Sequence, residues 1–248
     1  QRFVVNMPAA NSILETLEGD MGSLPLCNTW HSLLLDGGEV VVISSDDLKC
    51  AFYIFRLPPS WAPYLCFSER VQRSEIHGPD CERPNEWVHI GLIVVPMGWT
   101  SATGVVQHIH RNLARLAGLP RSLEVRRDRP LLDDFFGEAL MGVWQIYLDN
   151  LDLMEVVDAK ELARWIGTTS NAQVAMRQVY DAWQVTRSVD KAVERQPAGK
   201  ILGSQLVDGF RVRGPTEAVH GVVQLTLHTL RRPRVTKKWL QVLLGRWV

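Results

Sequence analysis

Val143-Trp144-Gln145-Ile146-Tyr147-Leu148-Asp149-Asn150-Leu151-Asp152-Leu153-Met154 consists of two runs of strand-forming residues joined by an acidic step. Apolar and aromatic side chains on both arms, with Asp149-Asn150 between them, predict a hairpin with a tight two-residue turn and a carboxylate at its tip. Most Asp-Asn steps are only turns. The tip gains chemical meaning if a second carboxylate, delivered by another strand, lies beside it. Upstream, Glu39-Val40-Val41-Val42-Ile43-Ser44-Ser45-Asp46-Asp47 is a β-branched run ending in acids, the pattern of a buried strand with a functional end. Asp47 reads equally well as that end and as the N-cap of a helix starting in Leu48-Lys49-Cys50-Ala51. Carboxylates on adjacent strands can share hard divalent cations. Two such cations stabilise the attacking and leaving oxygens of an in-line phosphoryl transfer.

The remaining elements frame these two strands. Arg2 to Asn6 is a short strand pattern broken at Pro8, and residues 61–68 and 88–95 are further strand candidates around a polar loop at 69–86. Pro96-Met97-Gly98-Trp99-Thr100-Ser101 is a turn leading into a helix over 102–116, with Val105, Val106, Ile109, Leu113 and Leu116 as its apolar period. Residues 159–185 predict one or two helices, 200–213 a hairpin turning at Asp208-Gly209, and 216–231 and 235–247 two basic amphipathic helices split by Pro233.

With 248 residues, 46% of them hydrophobic, the chain is long enough for a well-buried core. The 27 basic and 27 acidic residues cancel overall, but ten basic residues face only Asp208 and Glu217 from Arg195 onward, a local net charge of +8. Cys27, Cys50, Cys66 and Cys81 are too dispersed for a disulfide framework or a zinc site. His108 and His110, two apart on a helix, point in different directions and do not make a metal pair. No apolar run reaches the length needed to span a bilayer, so no membrane partner is expected; the expected location is intracellular, cytoplasmic or nuclear.

In their order these segments resemble the reverse transcriptases of retroelements. Asp47-Leu48-Lys49-Cys50-Ala51-Phe52 is similar to the Asp-Leu-Lys-x-Ala-Phe core of that family's first palm motif, and Pro96 to Ala102 to the Pro-x-Gly motif before the palm helix. Tyr147-Leu148-Asp149-Asn150 occupies the place of Tyr-x-Asp-Asp, and Lys191 followed by Lys200-Ile201-Leu202-Gly203 fits the lysine and Leu-Gly hairpin that come next. Arg2 to Asn11 has the spacing of a fingers segment, and Leu240 to Gly245 looks like the thumb helix.

The resemblance implies an α+β right-hand fold. Residues 1–214 would form palm and incomplete fingers, and 215–248 the start of a helical thumb. It also implies a polymerase that extends a primer 3′-hydroxyl on an RNA or DNA template using deoxynucleoside triphosphates. Asp47, Asp149 and the Leu48 carbonyl would hold magnesium or manganese. Arg2 would clamp the triphosphate, Phe52 would exclude a 2′-hydroxyl or serve only as a core aromatic, and Met97 and Gly98 would lie against the nascent pair. Lys191 would protonate the leaving pyrophosphate. Leu202 and Gly203 would grip the primer, and Arg231, Arg232, Arg234, Lys237 and Lys238 would track the duplex backbone.

One departure divides the functional reading. Asn150 stands where the family has its second aspartate, which removes a negative charge from a cation site. The chain reads either as a polymerase relying on Asp47 and Asp149 or as an inactive remnant that binds nucleic acid or a protein. An unrelated enzyme or scaffold of generic α+β type is the third alternative. The chain opens on Gln1 and stops within Leu-Leu-Gly-Arg-Trp-Val, and with the resemblance it reads as a core cut from a retroelement polyprotein or as a decayed copy.

Overall fold

The structure, a computed structural model, describes residues 5–26, 35–129, 142–232 and 234–247, with the backbone alone for 245–247. Arg2 and Pro233 lie outside the described residues, as does the start of the N-terminal strand pattern. At its centre is an antiparallel sheet of four strands in the order β4-β5-β1-β6: β1 is Glu39–Asp47, β4 Val143–Tyr147, β5 Asn150–Asp158 and β6 Val193–Gln196. β4 and β5 form the predicted hairpin, but the turn sits one residue earlier than Asp149-Asn150. Tyr147 pairs with Asn150, leaving Leu148-Asp149 as the two-residue loop, with Leu148 at a φ of 56°. Placing Leu148 in the turn keeps Tyr147 and Asn150 in the ladder. The Asp-Asn preference yields to the register set by the apolar residues of both arms.

That register sorts the strand residues between two faces. Trp144, Ile146, Leu151 and Leu153 lie on one face, cross-strand from Ser44 and Asp46. It is covered by α4 (Ala102–Leu116) and α6 (Asn171–Ala182), which contribute Val106, Leu113, Met176 and Tyr180 to the main core. Val143, Met154 and Ile43 lie on the other face, where they pack against Ile201 and Leu206 of a small sheet made of β7 (Gly199–Ile201), β8 (Ser204–Val207) and β9 (Arg211–Arg213). Residues 200–213 therefore turn twice, at Leu202-Gly203 and again at Asp208-Gly209, rather than once.

Helix α4 matches its predicted limits, but its period differs. Val106, His110 and Leu113 are buried, whereas Leu116 is 60% exposed. Ser101 does not cap the helix; its hydroxyl accepts the N–H of Leu17 instead. The loop carrying Leu17 crosses α4 at Gly104, where an added Cβ would stand 2.3 Å from the Glu18 carbonyl oxygen. The N-terminal segment is helical from Pro8 to Ile13 (α1), and Pro8 at the first helical position suits the fixed φ of proline. Residues 61–65 form a 3-10 turn rather than a strand. The hairpin that follows pairs β2 (Cys66–Gln72) with β3 (Trp87–Gly91). At the C-terminus α7 (Thr216–Leu230) and α8 (Lys237–Trp247) pack together. The basic residues are not spread along α7. They concentrate in the link and the first turn of α8, at Arg231, Arg232, Arg234, Lys237 and Lys238, all exposed. No helix among the described residues is long and apolar enough to cross a membrane.

Candidate active site

The end of β1 and the β4–β5 turn meet at the rim of the central sheet. Asp47 pairs with Asn150, and the Leu48 N–H donates to the Asp149 carbonyl at 2.8 Å, so the two carboxylate-bearing backbones are directly tethered. Asp47 is not a helix cap. Short helix α2 (Ala51–Ile54) begins after Cys50, whose φ of 57° turns the chain sharply away from the strand. That turn opens a cavity of about 200 Å³ lined by Asp47, Leu48, Phe52, Met97, Asp149 and Lys191 among others. Six residues singled out in four separate stretches of sequence thus line one concavity.

A third segment closes the cavity. Backbone bonds from Ser188 N–H to the Asp47 carbonyl (2.8 Å) and from Lys49 N–H to the Thr186 carbonyl (2.9 Å) clip residues 186–188 alongside the end of β1. The Ser188 hydroxyl then lies 3.0 Å from Asp47 Oδ1, and Lys191 Nζ lies 3.1 Å from the same oxygen. Phe52 is partly buried against the main core and also lines the cavity. Met97 accepts the Tyr53 hydroxyl at its sulfur, 3.5 Å away.

Gly98 is required for a reason inside the chain. It has a φ of 113°, and a Cβ there would lie 2.3 Å from the Val5 carbonyl oxygen. Asn11 brackets the same turn, donating to the Gly98 carbonyl and accepting from the Thr100 N–H. Of the other nominated residues that are described, Asn150 sits cross-strand from Asp47 without lining the cavity, and the rest lie away from it. Leu202 packs against the second core below the sheet, Gly203 is exposed at its turn, and the basic cluster sits on the C-terminal helices.

Asp47, Asp149 and the Asn150 amide offer hard oxygens, which is the donor chemistry that magnesium and manganese take. The two carboxylates are fewer than a self-sufficient cage needs, and among the described residues no three His, Cys, Asp or Glu side chains are grouped for a metal. A cation held there would take its remaining oxygen ligands from outside the protein. His108 and His110 do not form a metal pair: His108 contacts Asp20, and His110 is enclosed between α6 and the β4–β5 turn.

Sequence reasoning missed the supporting charges. Asp46, next to the nominated Asp47, is 1% exposed and points to the opposite face, where Arg177 binds both its oxygens at 3.1 Å and Arg187 approaches to 3.5 Å. Arg177 also reaches Glu194 at 2.7 Å. The doublet Asp46-Asp47 was visible as an acidic strand end, but which acid faced the helices depended on tertiary register. Beneath Asp47 and Asn150 on the cavity face, Asp152 pairs cross-strand with Ser45 and Gln145 and accepts from Gln145 Nε2 at 3.0 Å. Burial pushes this carboxyl up to about 6.

No family model matches the sequence, and no curated protein matches it. Among solved structures it is similar to the foamy viral protease–reverse transcriptase. The dRH form bound to double-stranded DNA gives a TM-score of 0.61 at 12% identity, covering 99% of this chain and 32% of that one. A second complex with double-stranded DNA gives 0.61 at 13% identity, covering 99% and 39%. The complex with an RNA/DNA hybrid gives 0.56 at 13%, covering 98% and 25%. At this identity the likeness establishes a reverse-transcriptase-like fold of mixed helices and strands, and this chain spans between a quarter and two-fifths of those proteins.

Proposed function

We propose that the chain is the core of an RNA-directed DNA polymerase. The central sheet would be its palm, the β2–β3 hairpin and N-terminal segment its fingers, and α7 and α8 the start of its thumb. The observation that carries this reading is the convergence of Asp47, Leu48, Phe52, Met97, Asp149 and Lys191 on one cavity, at the place where β1 meets the hairpin turn. Asp47 and Asp149, with the Leu48 carbonyl, would hold magnesium or manganese. The bound cations would neutralise charge on the attacking 3′-oxygen and the leaving pyrophosphate.

The protein's own groups do the rest. Phe52 presents a flat apolar wall against which a 2′-hydroxyl would be desolvated without a partner, favouring deoxynucleotides. Lys191 Nζ, already beside Asp47, would give its proton to the leaving oxygen. The basic residues 231–238 would contact a primer–template duplex, and Leu202 and Gly203 its primer strand. The foamy viral proteins bound to nucleic acid support the choice of partner.

Primer extension on RNA and DNA templates with magnesium or manganese tests the proposal. We expect incorporation that Asp47→Ala abolishes. Absence of incorporation above the Asp47→Ala level, with duplex binding intact, would replace it with the second reading, a polymerase-fold binding module. Asn150 is the observation favouring that second reading, because it leaves Asp47 cross-strand from an amide instead of a carboxylate.

A further inference from the structure

The tip of the hairpin is an unfavourable piece of backbone held from below. Leu148 occupies the left-handed region at a φ of 56°, where the Cβ of an L-residue crowds the following carbonyl oxygen. Two buried α4 side chains reach it. Gln107 donates to the Ile146 carbonyl and accepts the Leu148 N–H, both at 2.8 Å. His110 lies one turn further along, with Nδ1 2.6 Å from the Leu148 carbonyl oxygen and Nε2 2.7 Å from the Tyr180 hydroxyl on α6. Both rings are 0% exposed.

The chemistry of the partners fixes the protons. A backbone carbonyl can only accept, so Nδ1 carries the hydrogen. The Nε2 of the neutral ring is then an acceptor, and Tyr180 must donate to it. The sequence Tyr180 O–H to His110 Nε2, then His110 Nδ1–H to Leu148 oxygen, is thereby one directed chain across two helices and the turn.

We infer that His110 and Tyr180 are positioning residues for Asp149: their directed hydrogen-bond chain holds the Leu148–Asp149 peptide plane in its left-handed turn and so fixes where the Asp149 carboxylate stands. This rests on the polymerase reading of Asp149. The Leu148 carbonyl belongs to the peptide group whose nitrogen is that of Asp149, so a rotation of that plane swings the carboxylate directly. A purely space-filling role would be met by apolar side chains, without two buried polar groups that must each find a partner. The arrangement also explains why the site can stand on a two-residue loop. Gln107 fixes the N–H side of Leu148, His110 the carbonyl side, and Tyr180 the orientation of His110.

Asparagine and glutamine at position 110 separate the chain from packing. His110→Asn places an amide nitrogen where Nδ1 stands and keeps the donor to Leu148, whereas His110→Gln places it near Nε2 and loses that donor. Both are made with Tyr180→Phe, so that no hydroxyl is left unpaired, and the single Tyr180→Phe is measured beside them. Three readouts are taken on the whole chain: hydrogen exchange at the 147–150 amides, Mn²⁺ affinity, and single-turnover primer extension.

We expect the His110→Gln/Tyr180→Phe protein to exchange faster at the turn and to lose about tenfold to a hundredfold in Mn²⁺ affinity and single-turnover rate, with the apparent nucleotide Kd of that reaction unchanged. The His110→Asn/Tyr180→Phe protein should return to within about threefold of Tyr180→Phe, because its donor to the turn survives. If both double variants give equal turn exchange and equal Mn²⁺ affinity, or if these follow only their melting temperatures, the inference is wrong and the pair is packing. If even the unaltered protein extends no primer, the polymerase reading fails, while exchange at the turn still decides whether His110 holds it. Tyr180→Phe, which keeps the ring in place, supplies the decision should a His110 variant fail to fold.

Discussion

The two faces of the central sheet put the same kinds of residue to opposite uses. On the helix-covered face, charge is buried and answered in full: Asp46 has two arginines, and His110 has a partner at each nitrogen. On the cavity face, Asp47, one residue along the same strand, meets a hydroxyl and a lysine whose side chain is 59% exposed. The cavity face keeps its carboxylate within reach of whatever enters. A strand alternates its side chains between these regimes, so Asp46 and Asp47 differ in environment far more than in sequence.

The largest effect should come from breaking the buried side of this contrast. Arg177→Met leaves Asp46 and Glu194 without their shared partner and should cost about 3–5 kcal/mol of stability by urea unfolding. Lys191→Met, breaking a pair on the cavity face, should cost under about 1 kcal/mol. Equal costs would show that the two faces are not energetically distinct.

The second test uses pH. Burial holds His110 down at about 4, so its neutral state stabilises the fold above its ordinary value of 6.5, and that stability is lost as pH falls towards 4. Asp152, pushed up to about 6 from 3.8, acts in the opposite direction. Its protonated form is favoured by the fold, and that contribution is lost as pH rises through 6. Each amounts to roughly 3 kcal/mol, so between pH 4 and 6 they largely cancel. Asp152→Asn should therefore be more stable than the unaltered protein at pH 7. It should lose on the order of 2–3 kcal/mol between pH 6.5 and 4.5, read from urea midpoints across that range.

A smaller effect is expected at Asn150. Restoring a carboxylate with Asn150→Asp should tighten Mn²⁺ binding about tenfold, or about 1.4 kcal/mol, in a titration at fixed ionic strength. Smaller still, Lys237→Gln with Lys238→Gln should weaken duplex binding evenly across sequences and reduce the salt slope by about 2. An unchanged slope would separate the C-terminal helices from any duplex.

What the sequence disclosed follows from the same contrast. Asp47 was legible as the acidic end of a strand and Asp149 as the tip of a local hairpin, whereas Leu48 and Phe52 were nominated only through the resemblance to reverse transcriptases. The position of the turn was misjudged by one residue, since the choice of Leu148 for the loop is made by pairing across the whole hairpin. Asp46 with Arg177, and His110 with Tyr180, are joined over 131 and 70 residues, and no local pattern announces them. A faint signal existed in α4, where Gln107, His110 and Arg111 interrupt a buried surface that also holds Val106, Leu113 and Ala114. Polar residues at those spacings mark a helix that holds something besides a core.

The strand order carries a kinetic consequence. Tyr147 meets Asn150 across two residues, but Asp47 meets Asn150 across a span of 103. Closing the longer span costs roughly 3 kcal/mol more in chain entropy, and hairpins form within microseconds. Asp149 thus stands on a structure that can assemble by itself, while Asp47 joins it only when the chain between them has been gathered in. The cavity is the joint between a quick local contact of the sheet and one that closes a long stretch of chain. Substitutions that destabilise β1 pairing should slow its formation without altering the hairpin.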